Sequence, residues 1–218
     1  MQEILDGQDA HSNNEAHFNL PSRFIAKIYL FRTIYRGSGW SFANDRDFNH
    51  VSDNVAYWED INEQFYEKYY GLDAKHKKWA KLVAERKPIL GPTGRQWQIA
   101  MRRDRRGEPK MPWTTLSNYP VQGTGHDIMM CIRIEVARKM REQRLKSLLV
   151  CTVHDSIVAD CPDDEVNAVA KIMFEVFMEL PAFFRNAFNV NMNIPLTGEV
   201  SIGHNMKEMK EIFYEDVK

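Results

Sequence analysis

Apolar and polar positions along the chain alternate with two periods, and the switch between them marks the elements. After Leu20-Pro21-Ser22, apolar residues recur at helical spacing to about Tyr35, where Gly37-Ser38-Gly39 is a stop. Proline near a first helical turn loses no needed hydrogen bond, so Pro21 fits a helix opening. Further helices are predicted from about Asp53 to Tyr70 and Ala74 to Arg86, with Trp40 to Val51 irregular between the first two. Residues 1–19 read as a short approach segment. Leu90 to Ala100 contains the turn Gly91-Pro92-Thr93-Gly94 and then alternates through Trp97, Ile99 and Met101, which predicts a hairpin. Arg102 to Lys110 reads as a charged, exposed loop. A strong helix is predicted over Asp127 to Lys146, and an amphipathic one over Asp163 to Leu180. Between them, Leu148 to Val153 and Ile157 to Cys161 are β-rich runs joined at His154-Asp155-Ser156. Leu196 to Ile202 reads as a final strand. The first half is helical and the second mixed, so the chain reads as α+β.

Composition narrows the function class. The 218 residues include 12 Phe, 8 Tyr and 5 Trp, too many aromatics for a disordered chain. No apolar run approaches the ~20 residues needed to span a bilayer. The first 20 residues carry Asp6, Asp9 and Glu15 and do not read as a targeting peptide. Three cysteines, Cys131, Cys151 and Cys161, without metal-ligand spacing read as reduced thiols of a cytoplasmic protein. Net charge is only −1, but its distribution is uneven. From Lys75 to Lys110 there are twelve Lys and Arg against Glu85, Asp104 and Glu108, an excess of nine positive charges. Such segregation suits a polyanion; a solvated basic face would show the same run.

Three short patterns carry candidate chemistry. Arg23, Lys27, Phe31 and Tyr35 follow at intervals of four, a step that drifts about 40° around a helix. Two cations near a helix start suit a phosphate chain, and aromatics beyond them a base or sugar. Core aromatics with surface cations would give the same spacing. Val153-His154-Asp155 places a carboxylate at a hairpin tip, rigid and exposed, as a hard divalent cation requires; a plain polar turn reads alike. Asn118-Tyr119-Pro120-Val121-Gln122-Gly123 carries two amides that suit either turns and caps or the minor groove of a duplex.

Taken in order, Arg23-x3-Lys27-x3-Phe31-x3-Tyr35, then Asn118-x3-Gln122-Gly123, then Val153-His154-Asp155, resemble the later motifs of family A DNA polymerases, the DNA polymerase I-like enzymes including those of bacteriophages. His11 fits the phage-type spacing of the histidine before the first helix. Gly94-Arg95 resembles the family's Gly-Arg step. Pro195 to Ile202, followed by Gly203-His204-Asn205-Met206, resembles the last palm strand and its close. The resemblance covers about Glu3 to Met209.

It implies a right-hand polymerase fold, with helical fingers over residues 1–112 and the C-terminal half of an antiparallel palm sheet over 113–218. It also implies roles. His11, Arg23 and Lys27 would bind the incoming triphosphate, and Lys27 would protonate the pyrophosphate leaving group. Phe31 would pack on the nucleotide and Tyr35 sit near the templating base. Asp155 would ligate Mg²⁺, two ions being shared with a partner chain, and His154 would contact the primer terminus. Arg95, Asn118 and Gln122 would touch primer–template DNA; Arg36, which the resemblance does not assign, reads either as a contact to template phosphate or as a solvent-exposed cation.

The chain departs from the family pattern too. The first catalytic aspartate, with its ribonucleotide-excluding glutamate, is expected some tens of residues before His11, and Glu3, Asp6 and Asp9 are too close to replace it. Thumb and 3′–5′ exonuclease are also not read in this sequence. Ser156 stands where the family is usually acidic, and Arg32 and Arg36 where it commonly has glycine. Asp155 alone does not hold two ions, so the expectation is a split polymerase, active once an N-terminal chain supplies the first aspartate, with a piece of a longer polymerase as the other explanation. A non-catalytic DNA-binding remnant and a templated RNA polymerase are the rival readings.

Overall fold

The computed structural model describes residues 7–193, 196 and 198–217. Glu3, Asp6, Pro195 and Thr197, which the sequence reading invoked, lie outside the described residues. The chain divides into two compact units, one up to Gln122 and one from Gly123 onward.

The first unit is mainly helical. Helix α1, Ala10–His17, forms where the sequence suggested an approach segment. Asp9 caps it, its side chain accepting the His11 N–H, and this satisfies a donor that a helix start leaves orphaned. Helix α2, Arg23–Ile34, is capped by the Ser22 hydroxyl, so Pro21 precedes the cap and does not occupy the first turn. It ends at Tyr35, with Arg36 left-handed at φ 63°, just ahead of the predicted glycine stop. A short helix α3, Gly39–Ala43, interrupts the predicted irregular stretch. Helix α4 spans Val55–Lys68, and helix α5 spans Tyr70–Ala84, beginning earlier than its apolar pattern suggested.

Tyr29, Phe42, Phe48, Trp58 and Phe65 pack at ring separations of about 5 to 6 Å and are all 1% exposed or less. Truncating one such aromatic to alanine typically costs about 3–5 kcal/mol, so this cluster fixes how α2 sits against α4. A buried polar chain threads it: Tyr29 donates its hydroxyl to Asn62 Oδ1 (3.1 Å), and Asn62 donates to the Gly37 carbonyl (3.2 Å).

Two small antiparallel hairpins follow. Strands β1, Ile89–Leu90, and β2, Gln96–Trp97, form the predicted one. Strands β3, Arg102–Arg103, and β4, Pro109–Lys110, pair where only a loop was expected, and all of residues 101–110 are exposed as predicted.

Helix α6 runs Trp113–Glu142, continuous through Pro120. The sequence suggested a start near Asp127, so Asn118 and Gln122 lie on a helix and not in the turn before one. The second unit holds the predicted hairpin of β5, Leu148–Val153, and β6, Ser156–Asp160. Helix α7, Val166–Phe188, carries on through Pro181, beyond its predicted end at Leu180. Strand β7, Val200–Ile202, pairs with β8, Lys210–Ile212, which the sequence did not suggest. The unit's core is built from the inner faces of α6 and α7, with Ile132, Val136, Ile172, Val176, Leu180 and Phe184 buried. Among the described residues every sheet has two strands.

Candidate functional site

In the first unit the site is built on the outer face of α2. The i, i+4 spacing puts Arg23, Lys27 and Phe31 in succession along that face, while Ile25, Ala26 and Tyr29 point into the core. Lys27 is exposed, and its ammonium makes no hydrogen bond or ion pair among the described residues. Phe31 is 48% exposed, so one side of its ring is open to solvent beside Lys27. His11 lies beside it, ring centroids 6.0 Å apart, with its Nδ1 buried and unpartnered.

The residue that organises this face is one the sequence reading did not single out as functional. Besides capping α1, Asp9 accepts from Arg23 Nε (2.5 Å) and from the Ser12 hydroxyl (2.8 Å). The hydrogen bonds from Arg23, Ser12 and the His11 backbone hold its carboxyl well below the usual carboxylate range. Asp9 thereby ties the helix bearing His11 to the helix bearing Lys27. Arg23 uses only Nε in this pair, so the four N–H bonds of its terminal nitrogens have no partner among the described residues. The sequence reading missed this role of Asp9, because its partner lies 14 residues on.

At the far end of α2, the Tyr35 hydroxyl accepts from Gln122 Nε2 (2.7 Å). That contact joins the aromatic end of α2 to the amide face of α6, where Asn118 sits one turn before Gln122. Arg95 is exposed, and its carbonyl accepts from Gly91 N–H (2.8 Å) in the β1–β2 turn. Arg36 is engaged internally. It pairs with Asp73, donates Nε–H to His76 Nδ1 (3.0 Å) and lies over the rings of Tyr66 and Trp113 at 4.2 and 5.0 Å.

In the second unit, His154 and Asp155 form the two-residue tip between β5 and β6, with Val153 paired to Ser156. His154 is left-handed at φ 51°, which strains a residue with a Cβ. Both side chains are exposed. Ser156 donates its hydroxyl to the Val153 carbonyl (2.9 Å), closing the turn and removing that donor from other use. Beneath the hairpin lies a cavity of about 550 Å³. Ile128, Ile132 and Phe177 are among its apolar walls, and Asp155 and Glu199 are its carboxylates. Glu199 also escaped the sequence reading, since it stands alone before a short strand. Among the described residues no three His, Cys, Asp or Glu side chains converge as a metal-binding group.

The profile of DNA polymerase family A matches residues 6–208. The chain belongs to DNA polymerase family A. This family A chain is 29% identical over 204 residues to a DNA polymerase of Bacillus phage SP01, covering 90% of the chain and 21% of the phage protein. It is 33% identical over 95 residues to DNA polymerase I of Chloroflexus aurantiacus, covering 44% of the chain and 9% of that protein. Among solved structures it is similar to the POL domain of Pol1 from M. smegmatis, in complex with DNA primer-template and dNTP. The TM-score is 0.72 at 17% identity, over 90% of this chain and 34% of that one. At that identity the likeness establishes the fold, the mixed helical and antiparallel architecture of a family A polymerase domain. The family A chain spans about a fifth of the phage relative and about a third of the solved chain.

Proposed function

We propose that this chain carries the fingers, residues 1–112, and the C-terminal part of the palm, residues 113–218, of a cytoplasmic DNA-directed DNA polymerase. The observation that carries this reading is the α2 face: an unpaired exposed Lys27, an Arg23 held by one nitrogen, and a half-exposed Phe31 with His11 at its edge. The cations and His11 take the triphosphate, and Phe31 packs on the sugar and base. Tyr35 sits near the templating base, and its bond to Gln122 links the nucleotide face to Asn118 and Gln122 on the duplex. His154 contacts the primer terminus and Arg95 the duplex. The primer-template and dNTP in the M. smegmatis complex support these ligand classes. Arg36 is turned inward on Asp73, His76 and Tyr66 and away from template phosphate, and its role here is to hold the end of α2 to α5.

In the reaction, the primer 3′ oxygen bonds to the α-phosphorus and the bond to pyrophosphate breaks. Lys27 gives its proton to the leaving oxygen, and the 3′ hydroxyl proton passes to solvent. Mg²⁺ is the ion the family resemblance implies, and when bound it would neutralise charge developing on the phosphates. Asp155 offers it one exposed carboxylate and Glu199 a second on the same cavity, but these residues do not by themselves fit a two-ion site. The proposal therefore includes an N-terminal polymerase chain that supplies the first catalytic aspartate and the thumb. The apolar cavity under Asp155 supports it, because a further strand seated there would bury that floor.

Primer extension with Mg²⁺ and dNTPs tests this, run on the chain alone and mixed with polymerase chains bearing the missing motif. Extension only in a mixture is expected, with Lys27→Ala slowing the chemical step there about 100-fold or more. Silence in every mixture would put the non-catalytic DNA-binding reading ahead.

A further inference from the structure

Of the twelve Lys and Arg between Lys75 and Lys110, the site above uses only Arg95. The β3–β4 hairpin concentrates five of the others: Arg102, Arg103, Arg105, Arg106 and Lys110 stand against Asp104 and Glu108. No apolar burial holds it, since residues 101–110 are all exposed. Its turn is held from within. Asp104 Oδ1 accepts from the backbone N–H of Arg106 (2.8 Å) and Glu108 (2.9 Å), and Arg103 donates to the Gly107 carbonyl (2.7 Å). Gly107, at φ 84°, supplies the backbone conformation that a side chain would strain. The Asp104 carboxylate is thus committed to the turn. The side chains of Arg105, Arg106 and Lys110 make no hydrogen bond or ion pair among the described residues. An ordered arm with this much unpaired like charge repels itself, which its shape does not require.

The base of the arm is fixed to the site. Arg102 donates to Thr115 Oγ1 (3.1 Å) on α6. Thr115, Asn118 and Gln122 are three and four residues apart and share one helix face. The arm therefore begins one turn from the first of the amides assigned to the duplex.

We propose that the β3–β4 hairpin is a sequence-independent arm that grips the phosphate backbone of the primer–template duplex, with Arg105 and Arg106 as its main phosphate ligands. The assignment rests on the polymerase reading and extends its DNA track beyond Asn118. The arm's chemistry selects the partner. Between Arg102 and Lys110 there is no aromatic ring to stack an unpaired base and no apolar face to enter a bilayer, so single strands and membranes lose their usual handle. Exposed guanidinium groups continuous with a face of amides match a duplex backbone beside its groove.

The test is equilibrium binding of the full chain to a fluorescein-labelled primer–template across roughly 50 to 200 mM KCl. Each phosphate contact contributes about 0.9 to the log–log salt slope. Arg105→Ala with Arg106→Ala is expected to lower that slope by about 2 and to weaken low-salt binding about 10-fold, equally on duplexes of unrelated sequence. The thermal midpoint should not move, and the paired Arg→Lys variant should restore most of the slope. An unchanged slope in the alanine pair, with the wild-type chain binding normally, overturns the arm and leaves the polymerase reading standing. A loss confined to single-stranded DNA or to anionic vesicles overturns it too. A wild-type chain that binds no duplex defeats the polymerase reading itself, and the arm with it.

Discussion

His76 is fully buried on α5, and its Nδ1 accepts the Arg36 Nε–H at 3.0 Å. Burial, and then the adjacent Arg36 charge, push its imidazole down to about 4, against the opposing pull of Asp73. An imidazole depressed in the folded state binds fewer protons there than when unfolded. Its contribution to stability is complete above its unfolded value of 6.5 and is lost as pH falls towards 4. The loss should be on the order of 2–3 kcal/mol across that window. Burial pushes the Asp73 carboxyl up, but its bonds from Lys77 and Arg36 outweigh that and lower it from 3.8, so its own contribution fades only below the His76 window. Urea unfolding of the wild type and of His76→Gln at pH 7 and pH 4.5 separates the two. The wild type should lose stability between these conditions, and His76→Gln should lose markedly less. An equal loss in both would clear His76. Arg36 also marks what sequence could not give. Lys27 was legible because its neighbours on the helix are four residues away, whereas Asp73 and His76 lie 37 and 40 residues beyond Arg36.

Among the elements, the β5–β6 hairpin was legible to within a residue, because two β-rich runs flank a short polar tip; the shift of register between Leu149 and Cys151 was not. Helix α6 was legible only in its second half. Pro120, Gly123 and Gly125 read as breakers, and Pro120 does deprive the Leu116 carbonyl of its i+4 partner. Burial overrides that loss: Leu116, Ser117 and Pro120 are buried in the first unit, and Cys131, Ile132 and Val136 in the second. Helix α1 was missed because it has no apolar stripe, and only the Asp9 cap announces it. The hairpin tip makes the element-scale prediction. A left-handed His154 costs about 1 kcal/mol that glycine would not. His154→Gly should therefore raise unfolding stability by about 0.5–1 kcal/mol while weakening primer-terminus binding in the assembled enzyme. A drop in stability would mean that the imidazole itself holds the turn, and the reading of His154 as a strained, outward-facing contact would fail.

Across the molecule, the two units solve burial differently. The first closes an aromatic cluster around Tyr29, with the polar interior of Asn62 satisfied. The second packs α6 and α7 on aliphatic side chains and a phenylalanine group around Phe184 but leaves its strands in pairs, each with an unbonded edge among the described residues, beside a cavity of about 550 Å³. Unbonded edges open locally and offer a template for another strand. If the proposed N-terminal polymerase chain seats a strand between the start of β6 and the approach to β7, it binds the folded unit and not the unfolded one. At 100 times its dissociation constant it would add about 2.7 kcal/mol of stability. Hydrogen exchange locates that gain. Adding the complementing chain should slow exchange at Ser156–Asp160 and Val200–Ile202 about 10-fold or more, while the amides of α4, packed in the aromatic core, keep their rates. Protection that rises in α4 and leaves both strands unchanged would place the partner elsewhere. The cavity would then be no seat for a catalytic strand, and Asp155 would have to find its companion carboxylate by another route, with Glu199, on the same cavity, one that the chain itself provides.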